Sequence, residues 1–467
     1  MAGIGFELRK ILKRENLSSL LHAYFFAAVI SSGAWVLSIV GILLIGALSY
    51  TLESKNSLGV GDFWYGSQFI VQFQVSITYI IAISLIFTGP FQLAFTRFTA
   101  DRLYEKRSDI VLTNFHAVSL VVTLIGGALG ILVITFLFPD QSVLYRILML
   151  TAFVLMSNIW MASIFLTSIK QYKAIVWLYL MGYAIVVVSA LLLRGAHLEG
   201  LMTGFVIGHA VMLSGMWALI WRNFPAEKFI SFELFDKKLS YPMLVWIGLF
   251  YNLGVWVDKF MFWFTEHTSQ AIIGPLRASV IYDLPVFLAY LAIIPGMAVF
   301  LVRMETDFVE YYDAFFNAVR SGSSLEVIER HRNNIVETIR MGIFEIIKIQ
   351  TVVTLLVIVM GESVLNWLGI STLYLPLLYV NVVAASLQVV LLAILNVLFY
   401  LDKRLIVLWL TGGFVALNIL FTWISINLGP SFYGYGFALS LLVIVLIGFA
   451  WVTKKIDNIE YETYMLQ

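Results

Sequence analysis

Cysteine is absent from the 467 residues, which excludes disulfides, thiolate nucleophiles and any Cys-ligated metal. Charge is scarce. Asp, Glu, Lys and Arg make up 12% of the chain, about half of the roughly one quarter usual in soluble domains. A formal net charge of +1 offers no broad basic surface for nucleic acid. Catalytic signatures are missing too. There is no GxxxxGK(S/T) phosphate loop, so energy from ATP would have to come through another subunit. Neither an HExxH zinc pair nor a GxSxG nucleophile elbow occurs, and no His or Asp cluster has metal-ligand spacing. No cytosolic stretch is large enough to bind a nucleotide sugar. The chain is therefore expected to be no enzyme, with no cofactor and no metal.

What is present is apolar. Hydrophobic residues account for 61% of the chain and mean hydropathy is +0.93. No water-soluble core hides that much apolar surface, so lipid must be the solvent. The run 21–50 is too long for a signal-peptide core and lacks a clean small-residue cleavage site, which predicts an uncleaved first span. Further spans are expected at 66–93, 110–137, 147–168, 173–193, 200–221, 241–264, 281–302, 343–361, 373–399, 404–426 and 433–452. Each can cross about 30 Å of hydrocarbon as a helix. The expected fold is all-α, a polytopic membrane protein with about twelve transmembrane helices in two six-helix bundles.

Basic residues orient it. With both termini in the cytoplasm, only Lys55, Arg146, Arg194, Lys259 and Arg277 of the 29 Lys and Arg fall outside or in the outer half. That is the positive-inside pattern of a multi-pass cytoplasmic (inner) membrane protein. The chain then divides into an amphipathic cytoplasmic leader (1–20), a first bundle (21–221), a charged cytoplasmic connection (222–240), a second bundle (241–453) and a cytoplasmic tail (454–467). Two bundles that rock around a central cavity are a transporter layout, although a scaffold with no path has the same map. In the leader, Ile4, Phe6, Leu8, Ile11 and Leu12 interleave with Arg9, Lys10, Lys13 and Arg14, suiting the anionic lipids of the inner leaflet.

Within the second bundle lies a cytoplasmic loop, 303–342. Phe308, Tyr311, Tyr312, Phe315, Phe316 and Val319 recur at helical spacing, so Asp307–Arg320 is expected as an amphipathic interfacial helix. Ser324 should cap a second, charged helix. The loop serves either to dock a partner or merely to connect spans.

Charges within hydrocarbon cost roughly 2.5–3.5 kcal/mol each on insertion scales and mark candidate paths. Asp258 and Lys259 stand in the apolar run Leu253–Phe264, with Glu266 just beyond. Successive residues do not share a helix face, so one should line the path while the other pairs with a different helix or snorkels outward. The plainer reading is an interface ion pair. Arg277 and Asp283 flank the start of the eighth span beside Gly274-Pro275. Pro285 and Pro295-Gly296 should bend that span or free carbonyls toward a polar cavity. Gly89-Pro90 is expected to interrupt the second span and bring Arg97 to the cytoplasmic mouth, as a substrate contact or a topology anchor. Gln72, Asn252 and Trp256, with Tyr79, Trp246 and Tyr251, are the amides and aromatics that suit a carbohydrate. The amides can equally bond between helices.

Four segments carry a specific resemblance: MAGIGFELRKIL (Met1–Leu12), FTGPFQLAFTRFTADRLYEK (Phe87–Lys106), GVWVDKFMFW (Gly254–Trp263) and VRMETDFVEYYDAFF (Val302–Phe316). They resemble the PelG family, inner-membrane transporters of Pel exopolysaccharide, and the likeness in length and layout runs over nearly the whole chain. It implies the two-bundle fold of multidrug/oligosaccharidyl-lipid/polysaccharide exporters. It also implies export of a cationic, amino-sugar-rich polysaccharide made by a PelF-like cytosolic glycosyltransferase from a UDP-sugar. Membrane partners would be PelE-like and PelD-like, the latter a cyclic di-GMP sensor in that family. Asp258 and Glu266 would then attract the polymer's ammonium groups. Three rivals stand beside this reading: a flippase for lipid-linked oligosaccharides, an antiporter for small cations or drugs, and a non-transporting scaffold of the synthase complex.

Overall fold

The computed structural model describes residues 16, 18, 22–29, 41, 45, 68–107, 109–168, 172–224, 228–236, 241–368 and 370–461. The basic leader, most of the 21–50 run and the end of the tail lie outside them. The fold is almost wholly helical. Nine helices among the described residues are long and apolar enough to cross a membrane. Internal contacts gather the chain into two compact units, residues 33–280 and residues 1–32 with 281–467.

The first unit holds α1 (Gln68–Tyr104), α2 (Asp109–Leu137), α3 (Val143–Ser168), α4 (Tyr172–Leu193), α5 (His197–Asn223) and α6 (Pro242–Phe264). An antiparallel hairpin follows, β1 (Gln270–Ile273) and β2 (Leu276–Ala278). With lipid outside, helix association depends on close packing. Gly200, Gly204 and Gly208 give α5 a smooth ridge at four-residue spacing, and their neighbours are Leu193, Ala190 and Val186 of α4. An aromatic core of Phe95, Phe115 and Phe165 joins α1, α2 and α3, with ring centroids 5.1–5.8 Å apart for the two stacked pairs.

The second span is not interrupted. α1 runs 37 residues with Pro90 inside it. The lost backbone bond is tolerated because neighbouring helices hold a proline-bearing transmembrane helix together. At this point α6 presses on α1 so closely that a Cβ on Gly89 would lie 2.7 Å from the Gly248 carbonyl oxygen.

The segment between α5 and α6 is strapped to the start of α2. Leu234 N donates to Asn114 Oδ1 (2.9 Å) and Ser231 N to the Thr113 carbonyl (3.2 Å). Trp221 Nε1 donates to His116 Nε2 (2.8 Å), so the imidazole proton sits on Nδ1 and bonds the Phe229 carbonyl at 2.7 Å.

In the second unit follow α7 (Val280–Leu291), α8 (Ile294–Val302), α9 (Phe308–Arg320), α10 (Leu325–Trp367), α11 (Leu375–Tyr400), α12 (Arg404–Leu428) and α13 (Tyr435–Asp457). The expected eighth span is two helices, broken at Ala292 and Ile293 ahead of Pro295, whereas Pro285 lies inside α7 without breaking it. A π-helical turn, Arg303–Asp307, joins α8 to α9. Arg303 forks onto Glu345 (2.6 and 2.8 Å) and also bonds Asp307 (2.6 Å). The Glu345 hydrogen bonds raise the pKa of the guanidinium further, so it stays charged.

The loop helices differ from expectation in two ways. α9 lays its apolar face on protein: Phe308 and Phe315 are buried, and the Tyr312 hydroxyl donates to the Tyr400 carbonyl at 2.8 Å. The charged helix and the ninth span are one element, the 43-residue α10. Ser324 stands at its N-cap, but the side chain makes no cap bond; the Ser324 carbonyl accepts from Val327 and Ile328 instead.

Candidate functional site

The polar residues singled out around α6 gather on that helix, on α1 and on the hairpin. Where α1 and α6 cross, Gly89 and Gly248 leave room for backbone contact, and Asn252 Nδ2 donates to the Gly248 carbonyl at 3.0 Å. That bond spends one amide hydrogen within α6 itself.

Two turns on, Asp258 is 0% exposed and Lys259 5%. Lys259 Nζ lies 3.1 Å from one Asp258 carboxylate oxygen and 3.2 Å from the other, and it also bonds the Val255 carbonyl at 2.8 Å. Lys259, expected either to line the path, to pair with a different helix or to snorkel, bonds the carboxylate of the residue before it. Its four-carbon stem is long enough to fold back around the helix and meet its own neighbour, although the two Cβ atoms diverge. A buried pair of this kind roughly balances Coulomb attraction against desolvation, and removing one partner leaves the other charge stranded.

Beyond the pair, α6 ends in an aromatic cluster tied to the hairpin. Tyr79 of α1 stacks on Trp263 at 4.5 Å, Phe260 meets Tyr79 edge-on at 6.1 Å, and Trp256 lies 6.4 Å from Trp263. The Tyr79 hydroxyl donates to the Arg277 carbonyl at 2.9 Å. Arg277 itself is a clamp. Its Nε donates to the Trp263 carbonyl (3.2 Å) and Ser269 Oγ (2.9 Å), and Nη2 to the Ser269 carbonyl (3.2 Å). A cation there satisfies carbonyls that the end of α6 would leave orphaned. Gln72 Nε2 reaches the Ile272 carbonyl at 3.5 Å, and Glu266 is exposed.

The remaining candidates stand elsewhere. Arg97 pairs with Asp101 at 3.1 Å and lies 5.9 Å over the Tyr241 ring, whose hydroxyl donates to Asp101. This second contact between α1 and the start of α6 is well separated along both helices from Asp258. Asp283 belongs to the first turn of α7 in the second unit and is half-buried. Sequence reasoning missed Ser269 and the hairpin. The signal available was Gly274-Pro275 between two short apolar runs, with Gly274 at φ +52°. Among the described residues, no group of three or more His, Asp or Glu could hold a metal ion.

Comparisons with known proteins bear on the fold and the family separately. No curated protein matches the chain. Among solved structures, an outward-facing multidrug resistance transporter of the MATE family, MOP superfamily, is similar at a TM-score of 0.61 and 13% identity, over 93% of this chain and 99% of that one. An inward-facing MATE family transporter gives 0.62 and 12%, with the same coverage. A MOP superfamily transporter from Pyrococcus furiosus gives 0.58 and 12%, over 93% and 98%. At such identities the likeness carries the fold alone. The profile of the family described as "PelG: Putative exopolysaccharide Exporter (EPS-E)" matches residues 1–464. The chain belongs to the PelG family of exopolysaccharide exporters.

Proposed function

We propose that this chain is the conducting subunit that carries an amino-sugar exopolysaccharide out across the cytoplasmic membrane, as a PelF-like cytosolic glycosyltransferase makes it and beside PelD-like and PelE-like membrane partners. In this reading twelve spans form two six-helix bundles, divided at the charged connection 222–240, with both termini cytoplasmic. The buried Asp258–Lys259 pair is the polar element of the path, and it is the observation that supports the reading within an exporter family. A lysine that neutralises a carboxylate from the adjacent position can be displaced by a substrate ammonium group, which offers the carboxylate an equivalent partner. Glu266, exposed beyond the pair, would add to the same attraction.

The test is transport into vesicles co-reconstituted with the glycosyltransferase and its membrane partners, with labelled UDP-N-acetylhexosamine supplied outside. Polymer that becomes protected from added glycosidase only when this chain is present is the expected result. Asp258→Asn should lower the protected fraction, normalised to folded transporter. Polymer made but left wholly accessible, with the complex assembled, sinks the conduit reading in favour of a scaffold.

A further inference from the structure

We propose that the segment between α5 and α6 is a membrane-interface anchor, in which Phe229, Phe232 and Phe235, with Trp221 at the end of α5, sit at the boundary between lipid headgroups and acyl chains. The occupant of this aromatic face is the bilayer. The inference goes beyond the export reading and requires only that α2 crosses the membrane.

Position carries the first step. Every residue of α2 from Ile110 to Ser119 is buried, whereas from Leu120 onward Leu124, Leu129, Leu132 and Phe136 stand on its surface. That exposed apolar face is the one a spanning helix gives to lipid. The segment covers the buried part, held by Thr113, Asn114 and His116. His116, which holds the Phe229 carbonyl and lies 4.8 Å from its ring, is one helical turn before Leu120, about 6 Å along the axis. The aromatic face therefore continues the lipid-facing surface of α2.

The local structure suits that boundary. Phe229 is 71% exposed, Phe232 52% and Phe235 44%, and Trp221 is half-exposed. The single 3₁₀ turn Glu233–Phe235 brings Phe232 and Phe235 into line, their ring centroids 6.2 Å apart, while Leu234 between them is buried. Clustered exposed rings of this kind are a cost in water and a gain against lipid. The backbone is largely provided for: Ser231 N, Leu234 N and the Phe229 carbonyl bond α2, and Phe235 N bonds the Phe232 carbonyl. Such a segment can lie at the edge of the hydrocarbon without leaving those groups unpaired. Trp221 contributes an amphipathic ring whose N–H is already bonded to His116.

Charge narrows the contact further. Residues 221–240 carry Arg222, Lys228, Lys237 and Lys238 against Glu227, Glu233 and Asp236. This near balance does not make a polybasic site for anionic headgroups. Aromatic burial is the contact, and it should not depend on lipid charge.

The experiment exploits the absence of cysteine, which makes each introduced thiol unique. Phe229→Cys, Phe232→Cys and Phe235→Cys each carry a nitroxide in the purified full chain, reconstituted in phosphatidylcholine with and without phosphatidylglycerol. Electron paramagnetic resonance compares collision with oxygen, which concentrates in lipid, and with a water-soluble nickel chelate. Leu124→Cys is the lipid reference, and Glu326→Cys, at a side chain 84% exposed, is the reference in water. Each of the three labels should collide with nickel several-fold less than the Glu326 label, at a depth shallower than Leu124 and equal in both lipids. Three independent positions keep the test decisive if one label disturbs the segment. Nickel access equal to that at Glu326 overturns the proposal and leaves the face for a protein partner. Burial that appears only with phosphatidylglycerol overturns it in favour of a headgroup site. No polymer enters the assay, so its failure is distinct from failure of the export reading.

Discussion

The pairing of Asp258 with Lys259 makes a quantitative prediction. At 3.1 Å and an effective dielectric near 20, the attraction is roughly 5 kcal/mol. Desolvating each ion costs several kcal/mol, so the pair as a whole is close to neutral. Either half alone is not. Asp258→Asn leaves the buried ammonium, and Lys259→Met the buried carboxylate, without the counter-charge from the adjacent position, and each should destabilise by about 3–5 kcal/mol. The double variant should be destabilised by no more than about 2 kcal/mol, because neither charge remains; such non-additivity is expected only of residues in direct interaction. Thermal and denaturant unfolding of the four proteins in one detergent measures the cycle. If the double variant loses as much as the two singles together, the two charges do not neutralise each other and the reasoning is refuted. The same set separates structure from transport. A double variant that folds well yet exports poorly assigns the carboxylate to the path, and one that exports normally assigns it to packing.

Three further outcomes follow from contacts described above. Gly248→Ala drives a Cβ into the Gly89 carbonyl, backbone against backbone, so it should destabilise by about 1–3 kcal/mol, read by fluorescence-detected thermal unfolding. Arg277→Lys should behave like Arg277→Ala rather than like wild type, because a point charge does not serve the Trp263 carbonyl and both oxygens of Ser269 together; hydrogen exchange over 265–279 should accelerate in both. Arg332→Glu and Glu460→Arg break a half-exposed pair at 3.1 Å. Each should cost less than about 1 kcal/mol and the swap should recover it, measured by unfolding at low and high salt.

Most of the helices were legible because apolar runs of span length admit few other structures in lipid. Their interruptions were harder to read. Gly89-Pro90 and Pro295-Gly296 look alike in sequence, yet α1 passes through the first and the chain breaks at the second. At Gly89 the backbone of α6 closes on the helix, whereas at Gly296 a glutamine side chain occupies the same kind of gap. What decides the outcome is the neighbour, which local sequence does not specify. The continuity of α10 was missed for a different reason: polarity marks where a helix leaves the membrane, not where it ends, and no proline falls between Leu325 and Trp367. Asp258 and Lys259 were visible as candidates, but their mutual pairing depends on a lysine rotamer.

The length of α10 has a mechanical consequence. Forty-three residues make a rod about 65 Å long, roughly twice the thickness of the hydrocarbon. About half of it therefore stands clear of the membrane, braced by α9 and by the Arg332–Glu460 contact. If it pivots at the bilayer surface, a tilt of about five degrees displaces either end by roughly 3 Å. Anything that grips the free end holds a lever arm, and force applied there arrives as torque along the membrane-embedded half of the helix.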